Sequence, residues 1–302
     1  MAATMTGRVR EMVRKALSLI RPVTKKYKIG NFTITLNNQH MLPNYQEAHR
    51  LYDRFLPVLC RHLDHTERWI IDVGANVGDS TIAMAQACQN PILSIEGDEA
   101  FFQLLTANVE SFPNGKERSK AVNVLVGTGK FSGNLVSSGT TATRSDKDIG
   151  GASVSLDALL RRSGIDPNSV ALLKVDTDGY DGDVILSSLQ LLATAAPVLF
   201  WENQFSSEQQ LGCLEEFYRS IAHLGYGKFW VFDNFGNVLL EECSLKEIAD
   251  LNKYVMARNS YRATRTIHYI DVLASTEKNL GIVRAAIGLY RTETIEGRSD
   301  RL

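Results

Sequence analysis

The chain has 302 residues, of which 44% are hydrophobic and 22% charged, with 7 Pro and 22 Gly. These values fit one large globular domain or two small ones and exclude collagen-like, coiled-coil and wholly disordered chains. The 33 Lys+Arg against 34 Asp+Glu give a formal net charge of -1, which excludes a dedicated nucleic-acid binder, since phosphate contacts require a basic excess.

That total conceals an asymmetry at the start of the chain. Residues 1–28 carry Arg8, Arg10, Arg14, Lys15, Arg21, Lys25, Lys26 and Lys28 against the single acid Glu11. Val9, Met12, Val13, Ala16, Leu17 and Ile20 recur at helical spacing between these charges, which predicts a basic amphipathic helix ending near Pro22. Such a helix docks on its own domain or on a second copy of the chain in a homo-oligomer, or it makes a peripheral membrane contact through residues 8–28. The charges interrupt the segment too often for a secretory signal. No stretch of the chain reaches the ~18 apolar residues of a membrane span. Cys60, Cys88, Cys213 and Cys243 form no CxxC pair, so neither a zinc site nor a disulfide framework is expected. A cytoplasmic location, with membrane association through the basic segment, fits these features.

Residues 28–38 alternate apolar and polar and read as a short hairpin-like strand. Leu51, Tyr52, Phe55, Leu56, Leu59 and Leu63 predict one helix over 45–63. Short apolar runs then alternate with helical stretches: 69–73, 92–96, 121–126, 171–176 and 197–202, followed by 228–233 and 266–274. Apolar runs of this length separated by helices indicate parallel strands buried on both faces. The expectation is an α/β fold with a doubly wound, mostly parallel seven-stranded sheet. The N-terminal extension covers 1–64, the main domain 65–274, and a short C-terminal helix and tail 275–302. Residues 127–153, rich in Gly, Ser and Thr, are too long for an ordinary connection and predict a small hairpin with a mobile loop over the site.

The sharpest motif is IIDVGANVGDS, residues 70–80. A buried strand ends at Asp72, turns through Gly74, Ala75, Asn76 and Gly78, and enters a helix at Asp79 and Ser80. Ligands of doubly wound sheets sit at the carboxyl ends of such strands. The glycines are spaced GxxxG rather than GxGxxG, with Asn76 where a dinucleotide fingerprint has its second glycine. Asp72 and Asp79 disfavour a pyrophosphate and favour a cationic or zwitterionic ligand. Glu96 ends the next strand, just before Gly97, where a carboxylate can accept both ribose hydroxyls of an adenosine. An amino acid joined to adenosine describes S-adenosyl-L-methionine: Asp72 or Asp79 would hold its ammonium group, the backbone of 74–78 its carboxylate, and Glu96 its ribose.

After the fourth strand, Asp176, Asp178, Asp181 and Asp183 fall within eight residues. Methyl transfer to a hydroxyl needs an aligned acceptor and a base for its proton. Asp178 is the first candidate base, and Asp176 a residue that orients cofactor or acceptor. Glu202, ending the fifth strand, binds an acceptor hydroxyl or shares the proton, and His268 is a further candidate base. Asp181 and Asp183 stand at a helix start, where capping is the expected role. The spacing does not match a calcium loop, and no metal is expected.

IDVGANVGDSTIAMA, SIEGDEAFFQLLTANV and LLKVDTDGYDGDVI with PVLFWENQ together resemble the FkbM-type methyltransferases over about 45–274. The resemblance implies a class I fold, S-adenosyl-L-methionine as cofactor and a hydroxyl of a sugar or polyketide as acceptor. Where that family carries an acid-Gly-x-Glu turn, this chain reads Asp178-Gly179-Tyr180-Asp181, one methylene shorter at each acid. The expected activity is O-methylation of a carbohydrate, glycolipid or polysaccharide-type acceptor, neutral and rich in hydroxyls. A polyketide acceptor and a non-catalytic nucleotide-binding module are the alternatives. A nicotinamide oxidoreductase would need the missing GxGxxG, and a base methyltransferase an Asn/Asp-Pro-Pro motif that is also missing.

Overall fold

The structure, a computed structural model, describes residues 23–129, 134–138, 140–145, 153–205, 208–260 and 269–295. The predicted basic helix before Pro22, His268 and the tail beyond 295 lie outside the described residues. Chain order begins with a hairpin, β1 (Thr24–Ile29) and β2 (Phe32–Asn37), followed by helices α1 (Leu42–Ala48) and α2 (Phe55–Leu63). Lys25, Lys26 and Lys28 therefore sit on a strand, where Lys25 Nζ donates to His40 O and Lys26 Nζ to Thr35 Oγ1.

The single helix expected over 45–63 is two. Asp53 adopts a left-handed φ of 58° between them. Pro57 lacks an N–H and is tolerated only in a first turn, so the helix restarts just before it, at Phe55.

The main sheet follows: β3 (Trp69–Val73), α3 (Asp79–Ala87), β4 (Ile92–Glu96), α4 (Glu99–Ser111), α5 (Gly115–Arg118) and β5 (Ser119–Asn123). Then come the hairpin β6 (Asn134–Ser138) and β7 (Thr141–Ser145), as expected within 127–153, and α6 (Leu156–Ser163). After these come β8 (Val170–Val175), α7 (Asp181–Leu186), α8 (Leu189–Ala195), β9 (Val198–Asn203) and α9 (Glu208–His223). The chain ends with β10 (Lys228–Asp233), β11 (Val238–Cys243), α10 (Leu245–Ser260), β12 (Ile270–Ser275) and α11 (Leu280–Ile295). Between α7 and α8 the helix is broken where the Ser187 and Ser188 hydroxyls donate to Val184 O and Ile185 O, so side chains compete for helix carbonyls.

Strand order is β11-β10-β12-β9-β8-β3-β4-β5. The strands β5, β4, β3, β8 and β9 are mutually parallel, while β12 and β11 run against their neighbours. The sheet is α/β and mostly parallel as expected, but it has eight strands rather than seven. The added edge strand β11 returns from β10 through a tight turn in which Asp233 Oδ1 accepts the N–H groups of Phe235 and Asn237, with Gly236 at φ 89°.

Alternate residues of each central strand serve opposite layers. Ile71, Val73, Leu173 and Val175 pack with α6, α7, α8 and α9. Ile70 and Leu172 pack with α2, α3 and α11. The carboxyl ends of β3, β4, β8 and β9 therefore meet at one edge, which the antiparallel β12 enters at its amino end.

Candidate active site

At that edge the chain leaves β3 through Gly74, Asn76 and Gly78, with φ of 75°, 49° and 87°. A Cβ on Gly74 would stand 1.7 Å from Asp176 O, so glycine is what lets the ends of β3 and β8 touch. Gly78 has the same role against Leu105 of α4, 2.8 Å from its would-be Cβ. The turn is not the backbone cradle expected from the sequence. Gly74 N and Ala75 N donate to Ile95 O, Asn76 N to Glu96 Oε2, and Gly78 N to Ala75 O. Those N–H groups are already committed, and Ala75 is fully buried.

What the turn holds is Glu96. Its Oε2 accepts from Asn76 N at 2.8 Å and its Oε1 from Asp98 N at 2.7 Å. Each carboxylate oxygen keeps a second lone pair for a ligand hydroxyl. Burial pushes the Glu96 carboxyl up to about 7, against the lowering effect of those two N–H bonds.

Asp72 departs from expectation. It is fully buried, and its Oδ2 accepts from Ser80 Oγ and Thr81 Oγ1, each at 2.8 Å. Its Oδ1 lies 3.0 Å from Lys174 Nζ, which also donates to Gly74 O and stands 3.4 Å from Asp176. Burial alone would lower the Lys174 ammonium, but Asp72 and Asp176 overrule it and hold the group firmly charged. Asp72 thus secures the site from beneath rather than meeting an ammonium group. Asp79 and Ser80, at the start of α3, do face the cavity.

That cavity, about 440 Å³, runs across the sheet edge and lies within the size range of small-molecule sites. Glu96, Gly97 and Phe101 line it from β4 and the start of α4, and Gly74 and Asn76 from the turn after β3. Asp176 and Asp178 line it from beyond β8 and Glu202 from β9, so the structure brings these three predicted acids together. Burial, then Asp176, Asp181 and Asp178, push the Glu202 carboxyl well up, and its Oε2 is buried without a hydrogen-bond partner. Asp181 and Asp183 do not line the cavity. Asp181 accepts from Thr177 Oγ1, and Asp183 takes the N–H and hydroxyl of Thr128, anchoring that loop instead of capping the helix.

Sequence reasoning missed several lining residues. Asp271 lines the cavity from β12 and Tyr269 from just before it, Tyr52 and Asp53 from the α1–α2 connection, and Phe235 from the β10–β11 turn. His40 also lines it, with Nε2 3.3 Å from Asn76 Oδ1. Period-two alternation through YIDV (269–272) was the available signal for Tyr269 and Asp271. Among the described residues no three His, Cys, Asp or Glu side chains are placed to hold a metal ion.

The donor set fits S-adenosylmethionine. A fixed carboxylate with free lone pairs suits a ribose, and an acid-rich wall suits a sulfonium charge.

The sequence model of the methyltransferase FkbM domain matches residues 72–239. No curated protein matches the chain in sequence. Among solved structures it is similar to an O-methyltransferase from Bacillus cereus in complex with SAH, at 14% identity and TM-score 0.45, covering 78% of this chain and 89% of that one. A methyltransferase FkbM from Methylobacillus flagellatus KT is similar at 13% identity and TM-score 0.35, covering 69% and 43% respectively. A SAM-dependent methyltransferase from Thiobacillus denitrificans in complex with S-adenosyl-L-homocysteine is similar at 12% identity and TM-score 0.37, covering 76% and 94%. With more than half its length inside the family match, the chain belongs to the FkbM family of methyltransferases, which use S-adenosylmethionine.

Proposed function

We propose that this chain transfers the methyl group to a hydroxyl oxygen of a carbohydrate, glycolipid or polysaccharide-type acceptor. The observation that carries this reading is the meeting of Asp176, Asp178 and Glu202 on one cavity at the ends of β8 and β9, with Glu96 on β4 across the intervening β3. Bound with its ribose on Glu96, S-adenosylmethionine supplies an electrophilic methyl carbon. Asp178 stands at the carboxyl end of β8, where it can accept the acceptor hydroxyl's proton. Asp176 and Glu202 supply acceptor oxygens that align a polyhydroxylated molecule, and alignment accounts for much of the rate of such a displacement. The aromatic rings of Tyr52, Phe235 and Tyr269 line the same cavity and offer faces to a sugar ring.

The test uses full-length protein, S-adenosylmethionine with a labelled methyl group and a panel of glycosides. The label is expected on oxygen, with turnover lost in Asp178→Asn while S-adenosylhomocysteine affinity is kept. Label on carbon or nitrogen only would overturn the reading.

A further inference from the structure

The register of the sheet aligns the acids of the cavity. Val175 on β8 is level with Trp201 on β9, so Asp176, one residue on, comes level with Glu202. Glu202 is in turn paired directly with Asp271 across the antiparallel β9–β12 ladder. Directly paired residues put their side chains on the same face. Three carboxyls thus stand side by side across three adjacent strands, and all three line the cavity.

Like charges in this position repel. Among the described residues Lys174 is the one lysine on the cavity wall, and it is already 3.0 Å from Asp72 and 3.4 Å from Asp176. Among the described residues no arginine lines the cavity. Glu202 is 8% exposed, and its Oε2 has no hydrogen-bond partner. A buried carboxylate oxygen in that state is costly until a donor or a cation reaches it.

S-adenosylmethionine brings one net positive charge, for its sulfonium. Burial and the neighbouring acids push the Glu202 and Asp271 carboxyls well up, so the row is held toward its neutral form until a cation beyond the sulfonium reaches it and lets it ionise. Among the described residues no three His, Cys, Asp or Glu side chains converge as metal ligands. The flanking surface is aromatic. Tyr52 and Tyr269 line the cavity, and Phe235 is stacked on His49 with centroids 3.7 Å apart. Ring faces beside carboxylates suit an organic cation.

We propose that the acceptor carries a protonated amine, as an amino sugar does, and that Glu202 and Asp271 bind it. This rests on the acceptor reading above and narrows it from a neutral polyol to an ammonium-bearing one. An amine held between carboxylates keeps its proton, so its lone pair is not available as a nucleophile. It serves as the handle that sets which hydroxyl faces Asp178, and the methyl group goes to oxygen. Acceptors bearing phosphate, sulfate or carboxylate at this end are rejected.

The full chain, saturated with S-adenosylhomocysteine, is titrated at pH 7 with methyl glucosaminide, methyl glucoside and methyl glucuronide. The glucosaminide is expected to bind at least tenfold more tightly than the glucoside, and the glucuronide most weakly. In Glu202→Gln, and separately in Asp271→Asn, the advantage of the amine should fall below threefold, with S-adenosylhomocysteine affinity retained as the check on folding. Equal binding of glucosaminide and glucoside, or no saturable binding of the glucosaminide, overturns the inference. So does an amine preference that both variants keep. Labelled methyl on an oxygen of the glucoside with no gain for the glucosaminide overturns this inference alone and leaves the O-methylation reading standing.

Discussion

Lys174 Nζ lies 3.0 Å from Asp72 Oδ1, and the two side chains are 5% and 0% exposed. The pair joins β8 to β3 directly beneath the cavity, at residues in register across the parallel ladder. A buried pair of this kind adds little net stability, but breaking it leaves an uncompensated charge in the interior. Lys174→Met should therefore cost roughly 3–5 kcal/mol in urea unfolding. The double variant Lys174→Met with Asp72→Asn should recover most of that loss. A single variant within about 1 kcal/mol of the parent would mean that water reaches Asp72.

Glu96 gives a pH dependence whose sign follows from its burial. Its folded carboxyl is pushed up to about 7, above an unfolded value of about 4.3. The folded state then binds more protons between these values, so the Glu96 contribution to stability falls as pH rises through that window. Ligand binding runs the other way, because the ionised form accepts ribose hydroxyls. The rise in Tm produced by S-adenosylhomocysteine should grow from pH 6 to pH 8. Glu96→Gln should flatten that growth, and Glu96→Ala should weaken binding about 10–100-fold, the range for charge-assisted hydrogen bonds. A stabilisation by ligand that does not change with pH would remove Glu96 from the ribose site.

The parallel core was legible because strands buried on both faces read as continuous apolar runs, as in WIIDV and ILSIE, and the turn between them carried its glycines. Other features depend on distant parts of the chain. That Asp72 is buried under the turn rather than facing the ligand follows from Lys174, 102 residues later, being in register with it. Asp271 meets Glu202 only because β12 enters the sheet antiparallel beside β9, and local spacing does not encode strand order. The edge strand β11 was obscured by its half-exposed pattern, in which Leu239 is open to solvent. The break between α1 and α2 was visible in Pro57, but the apolar spacing of Leu51, Phe55 and Leu59 runs straight through it.

The β6–β7 hairpin is tied across the cavity at its tip. Asn76 Nδ2 donates to Thr140 O at 2.7 Å, and Met41 N donates to Thr140 Oγ1 at 2.9 Å. Asn76 is left-handed, so glycine there keeps the turn and removes the tie together with the longer contact of Asn76 Oδ1 to His40 Nε2. Asn76→Gly should leave global stability within about 1 kcal/mol, the size of one ordinary hydrogen bond. It should, however, speed amide hydrogen exchange in Thr141–Ser145. Unchanged exchange would show that the hairpin is held by other contacts.

Asp178 also has a left-handed φ, 51°, and is followed by Gly179 at 95°. This constrains how its chemistry can be tested. Alanine would remove the carboxyl and also strain the turn, so a loss of turnover would have two causes. Asparagine tolerates this conformation and keeps the shape of the side chain, but it is not a base at neutral pH. Asp178→Asn should therefore fold with an unchanged Tm, bind S-adenosylhomocysteine normally and lose about 10²–10⁴-fold in kcat, the usual contribution of a positioned base. Asp178→Gly, which relieves the backbone and removes the group, should lose as much. Losses of similar size in both would assign the effect to the carboxylate and not to the turn. If Asp178→Asn kept half the parental kcat, the proton would have to pass to Glu202, whose buried Oε2 is the unpartnered carboxylate oxygen on the same cavity wall. In that case Glu202→Gln should abolish turnover with cofactor affinity unchanged.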